Sequence, residues 1–212
     1  MSTLVYMKLL EQTPAKYDRG MRLLTLGRID AIKREIADAW VQSGHAVLEI
    51  GCGAGALAAL MTGRGARVTG IDVSDPMLTV ARQAAPGAEL FHMTAAEIDK
   101  LGAGRFDRIV STLAFSELSE DEQDFVLKQA AMLLKPGGNL IVADEVRPVG
   151  LGARAIAASI RLPLAAITFL LTQNTTHALR RFESRLGQAG FRLVARKRYL
   201  LGTLALFVAE KG

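Results

Sequence analysis

The sequence VLEIGCGAG, residues 47–55, decides the fold of this chain. It begins as a β-rich run, and three glycines follow at Gly51, Gly53 and Gly55. The next run, ALAALMT (56–62), has the spacing of a helix. Glycine allows a ligand to approach the backbone closely, and the start of a helix presents free N–H groups. We therefore predict a strand, a ligand-binding turn and a helix in this order.

Outward from this stretch, β-rich runs alternate with helical patterns through the middle of the chain. The predicted strands are AVLEI (46–50), ARVTGID (66–72), GAELFHM (87–93), FDRIVSTLAF (106–115) and NLIVADE (139–145). Asp75-Pro76 starts one helix, and a capping box at Ser119 and Glu122 starts another that ends before KPGG (135–138). Strands separated by helices need crossover connections, so the sequence predicts a parallel sheet.

The flanks add helices before this core and two strands after it. Residues 15–43 carry an apolar helical stripe, and an insert rich in Ala, Ile and Leu follows the fifth strand. A helix over 177–189 precedes the strands FRLVARKRYL and TLALFVAE, which are close enough in sequence to form an antiparallel hairpin. The expected fold class is therefore α/β, with a mostly parallel seven-stranded sheet, helices on both faces and an antiparallel C-terminal hairpin.

Composition narrows the class of protein. The chain has 212 residues, of which 50% are hydrophobic and 22% charged, so it is expected to be one domain with a sizeable core, neither disordered nor fibrous. The single cysteine, Cys52, excludes a disulfide framework and a cysteine-based zinc site. His45, His92 and His177 lie far apart, so no metal site is predicted. The first residues contain no uninterrupted apolar run, so we expect no secretory signal and a cytoplasmic protein.

Charge is distributed unevenly along the chain. Residues 1–146 carry 15 Lys and Arg against 19 Asp and Glu, whereas residues 147–212 carry 11 against 2. The basic C-terminal third favours a nucleic acid, a membrane surface or another anionic partner, or it serves only as a solvated face.

The glycine turn fits two cofactors. Gly51, Gly53 and Ala56 match the dinucleotide-binding fingerprint, and Asp72, at the end of the second strand, can bind a ribose diol in either case. Glu49 decides between the two, because its carboxylate beside the turn would repel a pyrophosphate and favour a sulfonium cation with an ammonium group.

The motifs, in order, resemble those of the class I S-adenosylmethionine-dependent methyltransferases. The matching runs are VLEIGCGAG (47–55), VTGIDVSDPML (68–78), FDRIVSTLAF (106–115), LLKPGGNLIVADE (133–145) and the terminal hairpin AGFRLVARKRYLLGTLALFVAEK (189–211). The resemblance implies a Rossmann-like fold, a methyltransferase activity and S-adenosylmethionine as the cofactor. The flanks look most like the ubiquinone/menaquinone C-methyltransferase branch. The run 6–28 also resembles corrinoid-protein-associated methyltransferases.

The resemblance also implies roles for individual residues. Asp72 would bind the ribose hydroxyls, and Val73 and Met77 would hold the adenine between them. Thr94-Ala95 stands where the family often has an Asp-Ala pair at the adenine edge. The other implied cofactor-binding residues, from the glycine turn, the fourth strand and the first helix, are Tyr17, Glu49, Gly51, Cys52, Gly53, Ser111 and Leu113.

These motifs divide the single methyltransferase domain into four parts. They are an N-terminal helical cap (1–45), a cofactor-binding core (46–146), an apolar insert on the acceptor side (147–175), and a C-terminal helix and hairpin (176–212).

Methyl transfer from a sulfonium is an in-line displacement that needs alignment and exclusion of water more than a catalytic side chain. A carbon or oxygen acceptor usually also needs a base. His177, just after the insert, is the candidate base, and Tyr199 is a weaker one. Cys52 is not expected to act as a nucleophile, because no histidine is near it in sequence.

The insert is apolar, but Arg154 and Arg161 interrupt it and Pro163 breaks it. Its uninterrupted run, 162–172, is about half of the roughly 20 residues that a membrane span requires. We expect two short helices that contact a hydrophobic small-molecule acceptor, either a quinone-like ring or a lipid-like molecule. Peripheral contact with anionic lipid, burial against the sheet and a dimer contact are open alternatives.

Three other functions compete with this interpretation. The corrinoid resemblance favours a methyltransferase that works with a corrinoid protein or cofactor. An NAD-dependent dehydrogenase is a distant alternative, because no Tyr-x-x-x-Lys pair is present. A nucleic-acid-binding module is equally distant, since only 6% of residues are aromatic and they do not alternate with the basic ones. We therefore expect no nucleic acid partner.

Overall fold

The computed structural model describes Arg22, residues 25–147 and residues 178–212. Its strands are β1 (Ala46–Ile50), β2 (Arg67–Asp72), β3 (Glu89–His92), β4 (Phe106–Thr112), β5 (Leu134–Glu145), β6 (Phe191–Tyr199) and β7 (Leu204–Lys211). Its α-helices are α1 (Arg28–Ala39), α2 (Ala56–Thr62), α3 (Asp75–Ala84), α4 (Glu120–Leu133) and α5 (Phe182–Gln188). Short 3-10 helices cover Ala95–Leu101, Phe115–Glu117 and Leu200–Gly202.

The strands form one sheet in the order β3-β2-β1-β4-β5-β7-β6. Strands β1 to β5 pair in parallel, and β7 pairs antiparallel with both β5 and β6. Only β7 is therefore reversed among the described strands, and it is second from the edge rather than at the edge. The predicted fold class is confirmed: a mostly parallel seven-stranded sheet with an antiparallel C-terminal pair.

Alternate residues of the strands pack into two cores on opposite faces of the sheet, as the period of a strand requires. Val47 belongs to one core together with residues of α1 and α2, such as Ile32 and Leu57. Leu48 belongs to the other core together with residues of α4 and α5, such as Val126 and Phe182. Both faces of the sheet are therefore covered, which is typical of parallel sheets.

Several predicted boundaries are wrong, two of them by five residues. The fifth strand was expected from residue 139, but β5 begins at Leu134, with a register shift between its pairings to Phe106 and Arg108 that accommodates the KPGG run. The helix expected from residue 177 begins at Phe182, because Leu179 forms a parallel bridge with Val146 instead.

Several predictions fall on residues outside the described ranges. They include the helical cap before Arg22, Tyr17, His177, and all of the 147–175 insert except Arg147. Within the described ranges, no helix has the length and apolar character needed to cross a membrane.

Candidate cofactor-binding site

The site lies where the strand order reverses. Strand β1 pairs with β2 on one side and with β4 on the other, so the connections leaving these strands diverge at their carboxyl ends. Open α/β sheets bind ligands in the crevice at such a point. The cleft there is lined by Ile50, Gly51, Gly53, Ile71, Asp72, Val73, Met77, Met93, Ala95, Thr112, Leu113, Ala114, Glu117 and Leu118. The lining thus comes from the ends of β1, β2, β3 and β4 and the turns that follow them.

The glycine turn is fixed by backbone contacts. The N–H groups of Gly51 and Cys52 both donate to the carbonyl of Ile71, at 2.9 and 3.0 Å. Gly51 has a φ of +72°, and a Cβ on it would lie 2.5 Å from the Cβ of Ala114. Only glycine is accommodated there, because the turn passes directly over the segment that follows β4.

The Asp72 carboxylate connects the glycine turn to the start of α3. One of its oxygens accepts from the N–H of Gly53 at 2.7 Å, and the other accepts from the N–H of Ser74 at 2.9 Å. A carboxylate has about four acceptor positions. Two are therefore left for the hydroxyls of a ribose, so Asp72 in the cleft fits the role implied by the resemblance.

Val73 and Met77 differ in exposure but line the same part of the cleft. The Val73 side chain is 62% exposed, whereas Met77 is 1% exposed. The backbone carbonyl of Val73 lies 3.0 Å from Nε2 of His92, at the end of β3. Because a carbonyl can only accept, His92 donates this bond and holds Val73 at the cleft. The sequence analysis gave His92 no role.

Thr94 and Ala95 separate in the structure. Ala95 lines the cleft, whereas Thr94 is outside the lining. The Thr94 hydroxyl donates to Oε2 of Glu97 at 3.0 Å, and the Thr94 N–H donates to the same oxygen at 3.1 Å. Thr94 therefore acts as the cap of the 3-10 helix Ala95–Leu101, which explains a threonine at a position where the family often has an aspartate.

Leu113 and Ser111 also separate. Leu113 lines the cleft in a left-handed conformation with a φ of +62°, and its N–H donates to the carbonyl of Ala143 at 2.8 Å. Such conformations of residues other than glycine concentrate at functional sites. Ser111 is fully buried, outside the lining, and its hydroxyl donates to the carbonyl of Ile50 at 3.0 Å. Thr112 takes the place in the lining that we expected for Ser111.

Glu49 and Cys52 lie beneath the cleft rather than in its lining. Glu49 is 1% exposed and alternates with Leu48, so it belongs to the face covered by α1 and α2. Cys52 is 5% exposed. Burial, followed by the charges of Glu49 and Asp72, raises the pKa of the Cys52 thiol far above its usual range. A thiol that stays protonated is a poor nucleophile.

Tyr199 is remote from the cleft. Its hydroxyl donates to Oε2 of Glu35 on α1 at 2.7 Å, from the edge strand β6. Burial and the hydrogen bond to Glu35 raise the pKa of Tyr199 further above its usual range. The structure thus gives Tyr199 a structural contact and places it outside the lining of the cleft.

The segment 113–118 contributes four residues to the lining of the cleft. The sequence analysis selected Leu113 but missed the other three, which are Ala114, Glu117 and Leu118. Asp144 of β5 holds this segment. Its buried carboxylate accepts from the N–H groups of Ser116 at 3.0 Å and Glu145 at 2.7 Å. Burial raises the pKa of Asp144 to about 6. The available sequence signal was the position of the segment directly after a strand at the reversal point.

Comparison with known proteins agrees with this geometry. Residues 47–138 match the family model described as "Methyltransferase domain". The chain is similar to the ubiquinone biosynthesis O-methyltransferase of Coxiella burnetii, with 33% identity over 130 residues, which is 60% of this chain and 53% of the relative. It is also similar to the enzyme of the same name from Aromatoleum aromaticum, with 38% identity over 117 residues, 53% of this chain and 47% of the relative. The chain thus spans about half the length of these curated relatives.

A solved structure shares the fold. The magnesium protoporphyrin IX methyltransferase of Synechocystis, with S-adenosylhomocysteine bound, superimposes with a TM-score of 0.65 at 19% identity, over 87% of this chain and 82% of that one. The glycine turn, the Asp72 carboxylate and the reversal-point cleft all fit the cofactor of this family. Residues 47–138 therefore belong to the methyltransferase domain family, and the S-adenosylmethionine-dependent superfamily predicted from the sequence is confirmed.

Proposed function

We propose that the protein transfers the methyl group of S-adenosylmethionine to a hydrophobic small-molecule acceptor, a quinone-like ring or a lipid-like molecule. One observation carries the proposal. Strand β5 pairs with β4, whose carboxyl end lines the cofactor cleft, and the sequence that follows β5, residues 148–177, is apolar. An apolar sequence that follows a strand beside the cleft favours an acceptor recognised through buried area, at about 25 cal/mol per Å².

The relatives support this acceptor class. Two are named for ubiquinone biosynthesis, and the solved structure is named for magnesium protoporphyrin IX. These names describe those proteins. Because the chain spans about half the length of the curated relatives, the acceptor of this chain is our proposal.

The residues of the chain perform the work of binding and orientation. Asp72 would hold the ribose, and Val73 and Met77 would enclose the adenine. Leu113 and Ala114 would fix the distance between the glycine turn and the acceptor. Bound S-adenosylmethionine supplies an activated methyl group with its own leaving group, so the chain needs chiefly to align the acceptor and exclude water. His177 stays the predicted base for a carbon or oxygen acceptor.

The experiment is methylation by the purified protein alone. Catechol and 4-decylcatechol are each incubated with S-adenosylmethionine, and the methylated product and S-adenosylhomocysteine are measured by mass spectrometry. Each buried methylene contributes about 0.8 kcal/mol. We therefore expect the decyl compound to have a kcat/KM at least about tenfold higher.

A matched pair of variants assigns the effect to the insert. Phe169→Ser/Leu170→Ser should raise the KM for the decyl acceptor much more than it changes cofactor affinity. Phe125→Ser/Leu201→Ser removes two exposed apolar side chains elsewhere and should change neither. Equal use of both acceptors would contradict the proposal. Transfer that needs an added corrinoid protein, with a change in its visible spectrum, would favour the corrinoid alternative instead.

A further inference from the structure

A second cavity lies beside the cofactor cleft and differs from it in charge. Its volume is about 830 Å³, and its lining includes Arg147, Arg180, Arg181 and Arg198. These arginines come from the end of β5, the approach to α5 and the edge strand β6. We call this the arginine cavity.

In the described part of the C-terminal third, the ion pairs do not involve these arginines. Arg192 pairs with Glu210, Arg196 with Glu183, Lys197 with Glu35, and Arg185 with Asp124. Glu183 and Glu210 are the only acidic residues after residue 146, so both already have a basic partner.

The four arginines of the cavity have no carboxylate partner among the described residues. Arg198 donates to two backbone carbonyls, those of Arg147 and Gly202. Neither acceptor is a carboxylate, so these bonds do not neutralise the positive charge of Arg198. Glu120 is the one acidic side chain of the lining without an ion pair in the described part of the chain. The described lining of the cavity therefore carries an excess of positive charge.

The arginine cavity adjoins the site of methyl transfer. The segment 115–120 contributes to both, since Leu118 lines the cleft and Glu120 lines the cavity. The ring of Phe182, in the cavity lining, packs against the ring of Phe115 in this segment, with centroids 5.6 Å apart. The cavity and the cleft therefore lie on two sides of one short segment.

We propose that the arginine cavity binds an anionic group of the acceptor, a phosphate or a carboxylate. Guanidinium groups match both anions in geometry and form paired, charge-assisted hydrogen bonds to them. This inference rests on the proposed function and adds to it that the acceptor is amphipathic, with its anionic end in the cavity and its apolar part toward the cleft.

The test is calorimetry with octyl phosphate and octanoate, with octyl glucoside as the uncharged comparison, on the full chain saturated with S-adenosylhomocysteine. The variant is Arg147→Gln/Arg180→Gln, because both side chains are exposed and make no hydrogen bond to the described residues. The control is Arg28→Gln/Arg34→Gln, which removes the same charge from exposed positions of α1, on the opposite face of the sheet. We expect both anions to bind, the cavity variant to bind them at least about tenfold more weakly, and the control to bind them as the parent does.

Three results would overturn the inference: unchanged affinity in the cavity variant, an equal loss in the control, or binding to phosphatidylcholine vesicles containing phosphatidylglycerol without binding to the soluble anions. The last would assign the arginines to a lipid surface. These measurements need no turnover. A protein that methylates 4-decylcatechol but binds neither anion would contradict this inference alone, and a protein that methylates nothing would contradict the proposed function.

Discussion

The cofactor cleft and the arginine cavity both lie at the carboxyl ends of parallel strands, but they are formed by different kinds of contact. The cleft is formed by short runs at the ends of β1, β2, β3 and β4, and its defining contacts are backbone groups held by Asp72. The cavity is formed by side chains from α4, β5, β6 and α5 that are far apart in sequence. Arg185 in its lining, for example, pairs with Asp124, 61 residues away.

This difference explains which kind of site can be recognised from the sequence. A site made of backbone turns needs particular residues at fixed local spacing, so its motif is visible before folding. A site made of side chains brought together by the fold has no such motif. Its signal in the sequence is the charge balance of the C-terminal third, which names no partner.

The largest effect is expected at Gly51, where the backbone nature of the cleft can be tested directly. In Gly51→Ala the new Cβ would lie 2.5 Å from Ala114, in a left-handed conformation. The conformation costs about 1–2 kcal/mol and the overpacking about 1–3 kcal/mol. We expect calorimetry to show binding of S-adenosylhomocysteine weakened by more than about a hundredfold.

Gly102→Ala is the control for this change. Gly102 also has a positive φ, +88°, but a Cβ there would meet nothing within 4 Å. It should show the conformational cost in thermal unfolding and normal cofactor affinity. If both variants lost affinity equally, the contact between the turn and Ala114 would not define the cleft.

A change of intermediate size is expected at Asp144, which holds the segment between the two sites. Its pKa in the folded protein is raised from 3.8 to about 6. The stability that it contributes is therefore fully present below pH 3.8 and is lost as the pH rises through about 6. The loss is about 3 kcal/mol at most. In chemical unfolding between pH 4 and 7, the free energies of the parent and of Asp144→Asn should differ by this slope.

Asp99→Asn serves as the matched control, because Asp99 is exposed on the 3-10 helix Ala95–Leu101. It should keep the slope of the parent. An Asp144→Asn variant with the same slope would show that another group carries the pH dependence.

At Asp72 the expected effect combines binding and local stability. Asp72→Ala should weaken S-adenosylhomocysteine binding by about tenfold to a hundredfold, because hydrogen bonds to a charged group contribute about 1.5–3 kcal/mol. It should also lower the unfolding free energy, since the N–H groups of Gly53 and Ser74 lose their acceptor. Asp72→Asn keeps one acceptor oxygen and should fall between Asp72→Ala and the parent. Unchanged affinity in a folded Asp72→Ala would contradict the ribose assignment.

The sequence predicted the cleft better than its individual side chains. Asp72, Met77 and Leu113 are in the lining as expected, since strand ends and turns fix their backbone positions. Ser111 and Thr94 are not, because each hydroxyl has a hydrogen bond to a nearby group, the Ile50 carbonyl or the Glu97 carboxylate, that spacing alone does not reveal.

The fold shows the same division between local and long-range information. The order of the strands along the chain and their mostly parallel pairing were predicted from the alternation of β-rich runs with helical patterns. The start of α5 was not, because the bridge between Leu179 and Val146 forms between residues that are 33 positions apart and holds Leu179 beside the end of β5, ahead of the helix. The contribution of α4 and β6 to one cavity is of this long-range kind.

The smallest effect is expected at Tyr199, which tests whether the edge of the sheet near the cavity influences the cleft at all. Its hydroxyl donates to Glu35 and thereby ties β6 to α1, and Lys197 pairs with the same carboxylate at 2.9 Å. Tyr199→Phe removes one hydrogen bond from a half-buried position, so we expect a loss of about 1 kcal/mol in the free energy of unfolding. Because the contact is remote from the cleft, cofactor affinity and the pH profile of methyl transfer should not change. Lys197→Gln, which breaks the exposed ion pair and removes the ammonium group from over the Tyr199 ring, should cost less than about 1 kcal/mol. A Tyr199→Phe variant that keeps its stability but loses methyl transfer with an altered pH profile would restore Tyr199 as a base and would mean that the reacting atom of the acceptor reaches Tyr199.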